Sequence, residues 1–229
     1  MRYTLVTANR NYSSWSLRPW VLMRALGLDF EDRIVAFGGA SNFDKFREFA
    51  PNAMVPCLYD DGTAIWDSLG IVEYLAERHK GVWPDDAVAR AWGRCASAEM
   101  HSGFAALRST CPMNVGVRAR LHRIGPELKK DMNRIAELWA EGLERFGGPW
   151  LAGDSFSAVD AFFAPVVFRV RSFDLDVGEA SQPWVARMLS FPAMREWEEV
   201  ALAESWRETA HEEEIAAVAT IIQDFRETA

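Results

Sequence analysis

The residues best suited to chemistry fall in three short groups: Asn11-Tyr12-Ser13-Ser14-Trp15-Ser16-Leu17-Arg18-Pro19, Val55-Pro56 and Asp67-Ser68. In the first group, Pro19 is tolerated in the opening turn of a helix, where its missing N–H has no intrahelical partner, and is costly further in. The helix is therefore expected to start near Ser16, with Ser13 and Ser14 in the turn just ahead. Hydroxyls placed there can donate to a bound thiolate, with the helix dipole helping, and so favour ionisation of a thiol whose ordinary pKa is about 8.5. The same serines also serve as plain helix caps, and taken alone that reading comes first. In the third group, Asp67-Ser68 precede Leu69, Val72, Leu75 and Ala76 at helical spacing. A helix start carries unpaired N–H groups and partial positive charge, and Ser68 adds a hydroxyl, so this is a place to hold a carboxylate.

These groups need a scaffold, and the sequence supplies one. A first strand is expected over roughly Arg2 to Ala8, then a loop from Asn9 to Ser14, a helix ending near Gly27, and a second strand from Phe30 to Phe37. Gly38-Gly39 breaks that strand, and Phe43, Phe46 and Phe49 suggest one or two helical turns. Cys57 to Tyr59 and Thr63 to Trp66 are short strands joined by Asp60-Asp61-Gly62, which is hairpin chemistry. Val55-Pro56 suits a strand entry, and an X-Pro bond turns cis at modest cost. The order β-α-β-α-β-β-α implies one parallel and one antiparallel pairing. Gly81 to Asp86 reads as a linker, and nearly everything beyond it reads helical. Ala89, Trp92, Ala96, Met100, Phe104 and Leu107 form one apolar stripe; Leu128, Met132, Ile135, Trp139, Leu143 and Phe146 form another; Ile215, Val218, Ala219, Ile222 and Phe225 form a third near the end. The expected fold is a small α/β domain (1–80), a linker (81–86) and an all-helical domain (87–229).

Bulk properties narrow the setting. The 229 residues include ten tryptophans, ample for a packed core, and the formal net charge of −8 argues against a general nucleic-acid binder. Three cysteines, Cys57, Cys95 and Cys111, form no metal-ligand spacing and cannot all pair, which suits a reducing compartment. Arginines 2, 10, 18 and 24 interrupt the apolar runs of a signal peptide, and no run is long enough to span a bilayer. The expectation is a cytoplasmic protein without metal, membrane or nucleic acid. Cys57 and Cys95 read as packing, and Cys111 as a possible pocket wall.

A serine-bearing turn after strand one, Val-Pro before strand three and Asp-Ser at the start of helix three resemble the cytosolic glutathione transferases, over the whole chain. The zeta class is nearest by motif: its SSCSxR turn compares with Ser13-Ser14-Trp15-Ser16-Leu17-Arg18, and its QSLAIIEYL with Asp67-Ser68-Leu69-Gly70-Ile71-Val72-Glu73-Tyr74-Leu75. Trp150-Leu151-Ala152-Gly153-Asp154 followed by Ser157-x-x-Asp160 is similar to the family's structural capping box. The resemblance implies a thioredoxin-like first domain, an all-helical second domain and a twofold dimer. It implies glutathione as co-substrate, with Ser13 stabilising the thiolate and Ser14 as neighbour or understudy. Val55, held by a cis Pro56, would pair with the cysteinyl backbone, Asp67 would attract the γ-glutamyl ammonium, and Ser68 would take the carboxylate. Lys45, Asn42 and Arg18 are weaker candidates; Tyr12, Trp15, Met113 and Phe168 are expected around the electrophile.

Two departures matter. Trp15 replaces the cysteine of the zeta turn. The position of the zeta arginine that grips acidic substrates is Ser172, with Arg171 and Arg169 one and three residues earlier, turned by about 100° and 300° on a helix. The implied activity is conjugation of glutathione to an electrophile or glutathione-dependent isomerisation; the rival reading is a binding or stress-regulatory protein of the same fold without turnover.

Overall fold

The computed structural model describes residues 3–38 and 41–226. Arg2 and Gly39, which the sequence places at a strand start and a strand break, lie outside the described residues. The elements β1 (Tyr3–Thr7), α1 (Ser14–Ala25), β2 (Phe30–Ile34), α2 (Asn42–Arg47), β3 (Cys57–Asp60), β4 (Thr63–Trp66) and α3 (Ser68–Ala76) follow in the expected order. They build a four-stranded sheet, β2-β1-β3-β4, in which β1 runs parallel to β2 and antiparallel to β3. The β3–β4 hairpin closes on Asp61 and Gly62, both with positive φ, which is why Asp-Gly stands there. Val55–Pro56 is cis, as expected.

Two local expectations are corrected here. β2 stops at Ile34 rather than Phe37: Val35 still donates to the Thr7 carbonyl at 2.9 Å, but the Phe37 N–H turns to Asn9 Oδ1 at 2.7 Å. Helix α1 starts at Ser14, two residues before the expected start, and carries Pro19 inside it. Proline there costs the bond to the Trp15 carbonyl. The helix is nevertheless buried continuously from Ser16 to Met23, packed against α3, α7 and α9, so tertiary burial outweighs one lost hydrogen bond.

Beyond the turn at Gly81 come α4 (Ala87–Ser102), α5 (Ala105–Thr110), β5 (Val117–Leu121), α6 (Pro126–Phe146), α7 (Ala158–Phe173), α8 (Gln182–Ser190), α9 (Pro192–Ala203), α10 (Thr209–Val218) and β6 (Ala219–Asp224). The first apolar stripe is not one helix: α4 ends at Ser102, and Phe104 takes a left-handed conformation before α5 begins. Asp131 of α6 accepts the Leu107 N–H at 2.9 Å and so helps start α5. The second stripe is α6, stopped by Gly147 in the left-handed conformation that glycine adopts without penalty. The second half is also not purely helical, because β5 and β6 pair antiparallel. The terminal stripe splits at Val218, and its β-branched run Thr220-Ile221-Ile222 goes into a strand because β5 offers a ladder.

At the centre of the second half stands α7, buried on nearly every side. Each fully buried phenylalanine on it (Phe162, Phe163, Phe168) contributes about 1.5–3 kcal/mol of transfer energy. The capping box is present: Asp160 accepts the Ser157 N–H at 3.0 Å, and also the Leu151 N–H at 3.0 Å and Trp184 Nε1–H at 2.9 Å. One hydrophobic core, from Leu5 and Trp20 through Phe162 to Trp197, runs across both halves. Cys57 is buried as expected, whereas Cys95 is exposed on α4. No helix among the described residues is long and apolar enough to cross a membrane.

Candidate active site

Where α1 begins, a cavity of about 400 Å³ opens between the two halves. One wall carries Tyr12, Ser13, Ser14 and Trp15 from the β1–α1 turn; Asn42, Phe46 and Val55 come from α2 and the loop before β3. The facing wall carries Arg108 of α5, Met113 and Arg169 of α7, and α10 adds His211 and Glu214. Ser13, Ser14, Val55, Asn42, Tyr12, Trp15, Met113 and Arg169, all named from the sequence, line this one cavity.

Ser13 stands at the N-cap of α1, yet its side chain makes no capping bond. Its carbonyl accepts the Leu17 N–H at 3.2 Å, and its Oγ lies 2.6 Å from Ser16 Oγ. Ser14 is the first helical residue and half-buried. Tyr12 is committed elsewhere: its hydroxyl donates to Glu212 Oε1 at 2.6 Å, and burial together with that bond holds its pKa far above the ordinary phenol value.

An arginine cluster backs the cavity. Arg18 and Arg108 both stand over the Trp15 ring, their guanidinium carbons 4.2 and 4.6 Å from its centroid. Arg18 is 2% exposed, and its Nε and Nη1 have no hydrogen-bond partner among the described residues. Arg169, also buried, donates Nε to the Cys111 carbonyl at 2.7 Å and Nη1 to the Pro165 carbonyl at 3.3 Å. None of the three forms an ion pair with a carboxylate among the described residues. Burial, then the neighbouring Arg108, pushes Arg169 down to about 10; burial and then Arg108 and Arg169 lower Arg18 as well.

Arg171 points elsewhere, paired with Glu198 at 2.7 Å, and Ser172 donates to the Asn114 carbonyl at 2.9 Å. Phe168 is inside the core rather than at the cavity wall. Cys111 is also behind the wall, and burial pushes its thiol up to about 12.

Asp67 and Ser68 sit apart, at the start of α3. Asp67 has positive φ; its Oδ1 accepts the Leu69 N–H at 2.8 Å and its Oδ2 lies 3.6 Å from His101 Nε2. The His101 ring stands edge-on to Trp15 at 5.2 Å, and burial, against the pull of Asp67, lowers its pKa. Ser68 Oγ is buried and has no hydrogen-bond partner among the described residues. Lys45 donates Nζ to the Ala36 and Gly38 carbonyls and does not line the cavity. Pro56 is buried behind Val55.

The sequence reading missed Arg108, His211 and Glu214, and missed that the chain's last segment closes the site. Buried Glu204 accepts the Arg10 and Asn11 N–H groups at 2.6 and 3.3 Å and the Asn11 amide at 3.2 Å. Arg226 bridges Glu212 and Asp224 at 2.5–3.0 Å, and so ties α10 to the end of β6 beside Tyr12. No spacing in the sequence reports contacts between residues about two hundred positions apart. Among the described residues no group of His, Cys, Asp or Glu is arranged to hold a metal ion.

Residues 12–78 match the family described as glutathione S-transferase, N-terminal domain, and residues 115–199 match glutathione S-transferase, C-terminal domain, together about two-thirds of the chain. The chain is 27% identical over 174 residues to the maleylacetoacetate isomerase of Rattus norvegicus, covering 73% of this chain and 78% of that one. It is 26% identical over 170 residues to a probable maleylacetoacetate isomerase of Caenorhabditis elegans, covering the same shares. Among solved structures, a glutathione transferase homologue from Burkholderia, with bound glutathione, superposes with TM-score 0.66 at 23% identity over 88% of this chain and 98% of that chain. A diazinon-metabolising glutathione S-transferase of the silkworm Bombyx mori superposes with TM-score 0.68 at 18% identity, covering 88% and 97%. Both likenesses are of fold.

Proposed function

Since this chain belongs to the glutathione S-transferase family, we propose that its cavity binds glutathione, ionises the thiol at Ser13 and directs the sulfur at an electrophile that carries a carboxylate. Residues 1–80 supply the tripeptide site, 81–86 the connection, and 87–229 the electrophile's side of the cavity. The Ser13 hydroxyl donates to the thiolate, with Ser14 beside it and the α1 N-terminus adding favourable potential. Val55 pairs its backbone with the cysteinyl unit as an added strand would. Asp67 attracts the γ-glutamyl ammonium, and Ser68 with the α3 N-terminus holds the carboxylate.

The observation that carries the reading is the placement of Ser13 and Val55 in one cavity with Arg108, which feels only the charge of Asp131, and Arg169, which forms no ion pair among the described residues. A buried cation without an ion-pair partner, as Arg169 is here, is costly, and an anionic substrate relieves that cost. A carboxylated, cis-unsaturated carbonyl compound fits: thiolate adds, the former double bond rotates, and elimination returns the isomer. This agrees with the reaction that the names of the rat and nematode relatives imply, and here Arg108 and Arg169 take the place of an arginine at Ser172. The protein acts as a cytoplasmic homodimer, and simple conjugation, including detoxification, uses the same thiolate.

The test is titration calorimetry with glutathione, followed by assays with a cis-unsaturated keto acid and its methyl ester. Binding, with turnover of the acid well above that of the ester, supports the reading; a folded sample that gives no heat with reduced glutathione overturns it.

A further inference from the structure

The terminal segment brings a histidine–carboxylate pair to the cavity that the thiolate chemistry above leaves unused. The His211 ring is clamped between Tyr12, stacked at 4.9 Å and 20°, and Phe37 at 5.0 Å and 34°. Its Nδ1 lies 2.7 Å from Glu208 Oε2, and the same oxygen accepts the His211 backbone N–H at 2.8 Å. Burial opposes ionisation of Glu208, but the hydrogen bonds from His211 prevail and its pKa is lowered. An ionised carboxylate only accepts, so Nδ1 carries a hydrogen and Nε2 is the atom that exchanges a proton. Nε2 makes no hydrogen bond among the described residues, although His211 lines the cavity with Ser13, Arg108 and Arg169. Ring plane, tautomer and free nitrogen are thus all set by neighbours, so that Nε2 can take up a proton and deliver it.

We propose that His211, oriented by Glu208, is the proton donor to the bound electrophile, and that the site is specialised for α,β-unsaturated carbonyl acceptors. The proposal rests on the glutathione reading given above. In the step, sulfur bonds to the β-carbon while the alkene pair moves onto the α-carbon and carbonyl oxygen as an enolate. The imidazolium Nε2–H then gives its proton to the α-carbon. The ring recovers a proton from water, which gained one when the thiol ionised. The sum is thiol plus alkene giving thioether, with no other reactant. Glu214 of α10 and, across the cavity, Arg108 and Arg169 are the other charged groups facing the ring; Glu212 lies beyond the Tyr12 hydroxyl and is paired with Arg226.

The test compares two carboxylated electrophiles. Acetylacrylate needs a proton on carbon after sulfur adds. A fluoronitrobenzoate needs none, since C–S forms, C–F breaks and fluoride leaves. His211→Phe keeps the stacking and removes the proton; Glu208→Gln keeps the ring and weakens its orientation. The expected result is a loss in kcat of about a hundredfold or more with acetylacrylate for His211→Phe, and a smaller loss for Glu208→Gln. The loss with fluoronitrobenzoate should be at least about tenfold smaller than that with acetylacrylate, and glutathione should still bind. Equal losses on both electrophiles, or no loss on either, overturn the proposal. Absence of glutathione binding by the unaltered protein is a different result, and it overturns the thiolate reading itself.

Discussion

Ser13 Oγ lies 2.6 Å from Ser16 Oγ, one turn into the helix that Ser13 opens. Only one hydroxyl hydrogen fits between two oxygens. When Ser13 turns its own hydrogen toward a bound sulfur, Ser16 can donate back to Ser13 Oγ, and the two hydroxyls form a relay that ends on the thiolate. The Ser13 side chain is turned to Ser16 and makes no capping bond to the N–H groups of the first helical turn.

A relay of this kind gives graded effects. Hydrogen bonds to charged groups contribute about 1.5–3 kcal/mol, equivalent to a thiol pKa shift of about one to two units. Ser13→Ala is expected to raise the pKa of bound glutathione by about that amount, and Ser16→Ala by less than half of it. Titrating the ultraviolet absorbance of the bound thiolate measures both. A larger effect in Ser14→Ala than in Ser13→Ala would move the donor to Ser14.

The arginines separate by direction rather than by position in the chain. Arg169 lines the cavity and Arg171 is held by Glu198. Arg169→Met is therefore expected to raise KM for a carboxylated electrophile about ten- to a hundredfold, with little change for its uncharged ester. Arg171→Met should leave both KM values within about twofold. Initial-rate kinetics with the acid and ester decide it; equal sensitivity of acid and ester to Arg169→Met would remove the anion role.

Much of this site is local and was therefore legible. Hairpin chemistry at Asp61-Gly62, the Val55-Pro56 entry, the Asp67-Ser68 helix start and the Ser157–Asp160 capping box each depend on a few consecutive residues. Long-range packing was not legible. Pro19 argued for a later helix start, and burial of α1 against α7 overrode it. The split of the last stripe at Val218 depended on β5, about a hundred residues earlier, offering an edge. Arg108 and His211 reach the cavity only because α5 and α10 are folded back upon Trp15 and Tyr12. An i, i+3 Glu208–His211 spacing was present in the sequence, but nothing local said what the ring would face.

Asp160 gives a stability prediction with a definite sign. Burial pushes its pKa up to about 6, against an ordinary value of 3.8 and in spite of four hydrogen bonds. The folded chain then holds the proton more tightly than the unfolded chain. The stabilising contribution is fully present below about pH 4 and is lost as pH rises through about 6, on the order of 3 kcal/mol at most. Asp160→Asn cannot titrate and accepts fewer bonds, so it is less stable throughout, but the gap to the unaltered protein narrows from about pH 4.5 to about pH 7.5. Urea midpoints at the two pH values measure it; a gap that widens refutes the assignment.

Glu204 reaches the turn that carries Ser13 from almost the other end of the chain, and accepts two consecutive backbone N–H groups there. A carboxylate offers acceptors on both oxygens, whereas glutamine puts an NH₂ against one of those N–H groups. Glu204→Gln is therefore expected to lower stability by about 1–3 kcal/mol. The turn it releases is the one that aims the Ser13 hydroxyl, so the thiol pKa of bound glutathione should rise part of the way toward its value in Ser13→Ala. A residue that only supports the fold would add its effect independently of Ser13. A positioning residue acts through it, and its effect on the thiol should vanish once the hydroxyl is gone. In the double variant Ser13→Ala/Glu204→Gln the thiol should therefore titrate as in Ser13→Ala alone, and full additivity of the two shifts would show that Glu204 does not act through the serine.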